Sequence, residues 1–171
     1  MLGSTSGSTT GGFGCRPSVG WSGSYRKEGG VSSQQVVEYP SVWLAGESCS
    51  GCSVSLLNSA SPNIKNVLID PVMPGKHVNL RFHATIMAGQ GEPAVRVLRE
   101  TALERPGEYL LLVEGSIPEG PYCAVGELEG RHLTMKEMTA ELAGDALAVI
   151  AVGTCASFGG IPSGEPNPTG A

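Results

Sequence analysis

Four things are missing from this sequence, and each absence removes a class of function. No run of about eighteen or more apolar residues occurs, so nothing in it reads as a membrane-spanning helix. No basic cluster occurs either: at a net charge of −5 the chain offers no Lys/Arg surface for phosphate backbones, which argues against nucleic acid as a partner. Its five cysteines are an odd count without regular spacing, unlike the framework of a small secreted disulfide protein. They suit a reduced compartment with metal-binding or redox thiols. The start of the chain has no apolar signal-peptide core, and Arg26-Lys27 runs into Glu28-Gly29-Gly30 instead of forming a twin-arginine pair. The expected location is therefore cytoplasmic.

What is present is enough for one domain with a real core: 171 residues, 40% of them hydrophobic. Residues 1–35 are rich in Gly, Ser and Thr without apolar periodicity, and the expectation there is a flexible tail with Cys15 as an incidental thiol. From Val36 the pattern changes. Val36 to Leu44 predicts a strand, followed by a tight loop with Cys49 and Cys52 and a short helix to about Ser59. Val54, Leu56 and Leu57 would be that helix's apolar stripe. Asn66 to Ile69 predicts a second strand, and Val78 to His83 a short strand at a sheet edge. Glu92-Pro93 opens a helix with apolar residues at Ala94, Val97, Leu98, Ala102 and Leu103. Tyr109 to Val113 and Ala146 to Val152 are continuous apolar runs, as in strands covered on both faces. Between them, Thr134 to Leu142 predicts a helix with Thr134 and Glu137 as a capping box. Ile161 to Ala171 reads as loop.

Strands alternating with helices imply a mainly parallel α/β sheet. Three of the strands run into unusual chemistry: Leu44 into the Cys49/Cys52 loop, Val113 into Glu114-Gly115, and Val152 into Gly153-Thr154-Cys155. Ligands of open α/β sheets bind beyond the carboxyl ends of the strands. One rim is thus expected to collect Cys49, Cys52, Cys155 and the carboxylate of Glu114. The N–H groups and positive end of the helix after Cys49 should favour thiolate over thiol. Three uses of these sulfurs stay open on spacing alone: a redox dithiol pair, structural zinc with Cys123 as fourth thiolate, and an iron–sulfur cluster. A lone Cys-x-x-Cys is a weak signal and leaves Cys155 unexplained.

Four motifs in register carry a stronger signal. They are Trp43 to Asn58 (WLAGESCSGCSVSLLN), Phe82 to Ala88 (FHATIMA), Val113 to Pro118 (VEGSIP) and Ala148 to Pro162 (AVIAVGTCASFGGIP). Together they resemble the small subunit of nickel–iron hydrogenases, nickel–iron–selenium members included, over about Val36 to Ala171. The iron–sulfur subunit of respiratory complex I is related, but typically carries adjacent cysteines where this chain has Cys-Ser-Gly-Cys. The resemblance implies a flavodoxin-like fold with helices on both faces of the sheet, holding a proximal [4Fe-4S] cluster. It implies electron transfer between that cluster and the nickel–iron centre of a large subunit, and onward to further clusters or a redox partner protein. Cys49, Cys52 and Cys155 would be the cluster ligands. The family's fourth ligand lies in a later Gly-Cys-Pro-Pro motif, so the expectation is an incomplete chain with three of four ligands. Cys123 is then a packing residue or a substitute ligand. No catalytic residue is expected in this chain, with Ser50 and Glu114 as candidate proton relays. Their structural alternatives are a loop cap for Ser50 and acceptance of N–H bonds from the cysteine loop for Glu114. His83 should satisfy its ring nitrogens near the subunit contact. Thr154 should donate to Cys155 or to cluster sulfur. The competing hypothesis is a zinc-stabilised α/β binding domain using Cys49, Cys52, Cys123 and Cys155.

Overall fold

Ser41, Val42, Trp43 and Leu44 alternate along β1 (Val37–Ala45), and all four are buried, so this strand has protein on both faces. The computed structural model describes residues 36–171; the tail expected over 1–35, with Cys15, lies outside the described residues. β1 pairs in parallel with β2 (Lys76–His83) on one side and with β3 (Leu110–Glu114) on the other. A further strand, β6 (Ala148–Val152), pairs in parallel with β3, giving the sheet order β2-β1-β3-β6. Chain order and sheet order differ because the connection from β2 to β3 crosses over β1. This is the parallel α/β, flavodoxin-like architecture expected from the alternation of elements.

The helices are α1 (Gly51–Leu57), α2 (Ile64–Leu68), α3 (Gly91–Glu104), α4 (Met135–Gly144) and α5 (Gly153–Phe158). The core forms where α3 and α4 lie on the sheet. Val42, Leu44, Leu111 and Val113 meet Ala94, Val95 and Leu98 of α3 and Met135, Met138 and Leu142 of α4. Each such fully buried side chain stabilises the fold by about 1.5–3 kcal/mol relative to exposure. Tyr109 is buried among them, and its hydroxyl donates to the Leu142 carbonyl. The capping box at α4 is formed as expected: the Thr134 hydroxyl accepts from Glu137 N, and the Glu137 carboxylate accepts from Thr134 N.

Three expectations are corrected and one element is added. Asn66 to Ile69 is not a strand but lies in α2 and its C-cap. Asn63 and Asn66 cap that helix reciprocally, each side-chain oxygen accepting the other's backbone N–H at 3.0–3.1 Å. Those local bonds outweigh the β preference of Val67 and Ile69. The apolar stripe of α1 does not form, because Val54 and Leu57 are exposed. Among the described residues β6 is not covered on both faces: it pairs only with β3, at the sheet's edge, with Val149 and Ile150 exposed. Between β3 and α4 the chain also makes an antiparallel hairpin, β4 (Ala124–Leu128) and β5 (Arg131–Thr134). Its turn places Glu129 and Gly130 at φ of 54° and 76°. A glutamate in the left-handed region is an unusual turn former, which is why the hairpin carries no strong local signature.

Candidate functional site

Strands β1, β3 and β6 are neighbours and point the same way, so their carboxyl ends form one rim. A cleft of about 620 Å³ opens there, lined by Glu47, Ser48, Cys49, Cys155, Ile161 and Pro162 among others. Cys49 comes from the loop after β1, and Cys155 from the first turn of α5 after β6. Residues more than a hundred positions apart thus face one space. Cys52, in α1, lies within electrostatic reach of both other sulfurs.

Two glycines let the sulfurs of Cys52 and Cys155 sit where they do. Gly153 has φ +83°, and a Cβ built on it would come within 3.0 Å of Cys52 Sγ. Gly160 has φ +61°, and its Cβ would lie 2.5 Å from Cys155 Sγ and 2.9 Å from Cys155 Cα. Each sulfur occupies space that any other residue type would fill. Gly153 also ties the two loops together, because the residue opening α5 abuts the sulfur of α1.

The cysteine loop is held from below by Glu114 at the end of β3. This carboxylate is 1% exposed. Trp43 Nε1 donates to its Oε2 at 3.0 Å, and the Ser53 hydroxyl donates to the same oxygen. Its Oε1 accepts from Ser48 Oγ at 3.2 Å and from the backbone N–H groups of Cys52 and Ser53 at 3.2 and 3.3 Å. Burial alone would raise its pKa; the bonds from Ser53, Trp43 and Ser48 outweigh that and hold it below the usual carboxylate value. The network continues to β2. Thr85 N donates to His83 Nδ1 at 3.2 Å, which leaves the ring proton on Nε2, facing Ser53 Oγ at 3.4 Å. The imidazole stacks on Trp43 with centroids 4.6 Å apart. Burial lowers the His83 pKa, partly offset by the Glu114 charge. Both ring nitrogens of His83 are therefore satisfied, as the sequence led one to expect.

One electrostatic expectation is reversed. The Cys52 and Ser53 N–H groups in the first turn of α1 donate to Glu114. Burial first, then the negative charge of Glu114 and the two neighbouring cysteines, push that thiol up from its ordinary value. Ser50 does not act as a loop cap through its side chain, although it is the N-cap of α1 at φ 59°. Its own N–H donates to Ser48 Oγ at 2.9 Å. Ser48, an ordinary loop serine in the sequence, is the residue that closes the loop, together with Ser53 and Trp43. The buried indole N–H was the available clue, since such a group needs an acceptor. Cys123 packs against the hydrophobic core and does not line the cleft; burial and then the charge of Glu47 raise its thiol pKa. Thr154 is exposed at the start of α5. Among the described residues, no three His, Cys, Asp or Glu side chains converge tightly enough to hold a single metal ion.

The far wall of the cleft is tied to the cysteine loop by Glu47. Its backbone exchanges two hydrogen bonds with Ser116, and its carboxylate accepts from Thr169 Oγ1 at 3.0 Å and Ser116 Oγ at 3.4 Å. Loops from β1, β3 and the region beyond α5 thereby close around one space.

A mainly parallel sheet with cysteines from separate loops gathered at its carboxyl rim defines a flavodoxin-like α/β domain. The chain belongs to the family described as NADH ubiquinone oxidoreductase, 20 Kd subunit, which matches residues 49–171. Its curated relatives are named hydrogenase small subunits. It is 47% identical over 139 residues to the periplasmic [NiFeSe] hydrogenase small subunit of Desulfomicrobium baculatum, covering 77% of this chain and 42% of that protein. It is 36% identical over 135 residues to the quinone-reactive Ni/Fe-hydrogenase small chain of Wolinella succinogenes, covering 77% of this chain and 36% of that one. Among solved structures, the [NiFeSe] hydrogenase from Desulfovibrio vulgaris Hildenborough superposes with a TM-score of 0.73 at 40% identity, covering 81% of this chain and 48% of that chain. The chain spans less than half the length of these relatives.

Proposed function

We propose that this chain is the proximal-cluster region of a hydrogenase small subunit, with Cys49, Cys52 and Cys155 as ligands of a [4Fe-4S] cluster. The observation that carries the reading is the convergence of the two cysteine-bearing loops on one rim, with Gly153 and Gly160 leaving room for the Cys52 and Cys155 sulfurs. The donor set fits the group. Thiolates are the usual ligands of iron–sulfur clusters, and a cluster spreads its ligands over several corners, whereas zinc draws four sulfurs to one point at about 2.3 Å. When bound, the cluster supplies one-electron transfer.

The chain's own residues have the supporting tasks. Glu114, Ser48 and Ser53 hold the Cys49/Cys52 loop in position. Glu47 fastens the loop near Thr169 across the cleft. Exposed Phe158 and Ile161, 81% and 91% accessible at the edge of this region, offer apolar surface to a large subunit carrying nickel and iron. On this reading the partner performs the chemistry of H₂, and this chain passes electrons between it and further carriers. Ser50 has no side-chain cap bond, which leaves its hydroxyl free to serve as a proton relay at that contact.

The test is anaerobic purification of the complete subunit with its partner, followed by iron, sulfide and zinc analysis and EPR spectroscopy. Four irons and four sulfides per proximal site, lost on Cys49→Ser or Cys155→Ser and kept on Cys123→Ser, are expected. A colourless protein with one zinc per chain, lost on Cys123→Ser, would instead establish the zinc-stabilised domain.

A further inference from the structure

We propose that Glu114 is a positioning residue for the cysteine loop, and that its fixed negative charge holds down the reduction potential of the cluster assigned to Cys49, Cys52 and Cys155. The positioning half stands on the fold alone; the potential half rests on the proposed function.

A carboxylate that is 1% exposed is costly unless its charge is met. No salt bridge reaches Glu114 among the described residues. Its compensation is five neutral donors from three separate segments: Trp43 in β1, Ser48 in the loop, and the Cys52 N–H with both the N–H and hydroxyl of Ser53 in α1. A carboxylate has about four lone-pair sites and accepts on both oxygens. A glutamine accepts on one only, and its NH₂ would face donors. The anionic form is therefore the one the site is shaped to hold.

Three of the five donors belong to Cys52 and its neighbour Ser53, so the loop's position depends on this acceptor. The charge has a second consequence. Reduction adds one electron to the bound group, and that electron arrives close to a buried permanent anion. Coulomb repulsion then disfavours the reduced form.

The experiment uses the complete subunit paired with its partner, carrying Glu114→Gln or Ser53→Ala. Amide hydrogen exchange at Cys52 and Ser53 reads position, and an EPR-monitored redox titration reads the cluster. Glu114→Gln is expected to speed exchange at both amides by about tenfold, since each bond contributes about 1 kcal/mol. At a fixed poise it should raise the ratio of reduced to oxidised cluster on the order of tenfold. Ser53→Ala keeps the charge, so it should speed exchange and leave the cluster's potential near that of the parent. Unchanged exchange in Glu114→Gln overturns the positioning role. A cluster present with unchanged potential overturns the tuning role, as does an equal rise in Ser53→Ala. If Glu114→Gln does not fold, Ser53→Ala decides positioning by exchange alone. Absence of a cluster from the parent protein refutes the proposed function and with it the tuning role, while the exchange arm still decides positioning.

Discussion

Gly153→Ala is the substitution whose outcome depends most directly on the rim geometry. Two effects must be separated. The first is backbone strain: at φ +83° an alanine pays about 1–2 kcal/mol for the left-handed region. The second is the collision of the new methyl with Cys52 Sγ. That sulfur is the end of a side chain with one rotatable bond, so it can swing away. If it does, the stability cost beyond strain is small, but the sulfur leaves its place at the rim. If packing prevents the swing, overpacking adds about 1–3 kcal/mol. Gly75→Ala is the control, because Gly75 has φ +74° and nothing within 4 Å of its would-be Cβ. It carries the strain without the collision. Urea unfolding and iron content should be measured for both. The expected result is similar or greater destabilisation in Gly153→Ala, with iron loading several-fold below that of Gly75→Ala. Equal loading of the two variants would refute the placement of Cys52 against Gly153.

Three further outcomes are expected. His83 has a depressed pKa in the fold, so its neutral form is favoured there; its contribution is complete above the unfolded value of 6.5 and is lost as pH falls through the lower folded value. His83→Gln should flatten the pH dependence of unfolding just below pH 6.5, while leaving the more acidic fall, below pH 4.5, that belongs to Glu114. Tyr109→Phe removes the bond to the Leu142 carbonyl and leaves that buried acceptor unpaired, so denaturant titration should show a loss of about 1–3 kcal/mol. Thr134→Ala breaks the capping box of α4 and should lower stability by about 1 kcal/mol, read as a shift in the urea midpoint with unchanged slope.

The readable parts of the fold were those whose signal is local. β1, β3, α3 and α4 announce themselves through apolar runs, helical spacing and the Thr134/Glu137 cap, and each forms within a residue or two of expectation. Where local signals conflicted, reading failed. Val67-Leu68-Ile69 looks like strand, yet Asn63 and Asn66 cap a helix there. The Glu129-Gly130 turn lacks the usual asparagine or aspartate, so the β4–β5 hairpin went unseen. Apolar β6 gave no hint that it lies at an edge with one neighbour, because composition does not say which strand lies beside which.

For the site, the residue types and their order along the chain were enough to name Cys49, Cys52, Cys155 and Glu114 as belonging together, since each follows a strand and the strands of a parallel sheet end at one rim. Only the folded chain could show what Glu114 does. Its donors come from positions sixty to seventy residues away, and two of them, Cys52 and Ser53, contribute backbone N–H groups that carry no mark in a sequence. The same holds for the electrostatics of Cys52. A helix start read alone favours thiolate, but burial first, and then the charge of Glu114 that the sheet register brings beneath the loop, push the Cys52 thiol the other way. Local chemistry is written in neighbouring residues, whereas the field at a buried sulfur is a sum over everything the fold has gathered around it.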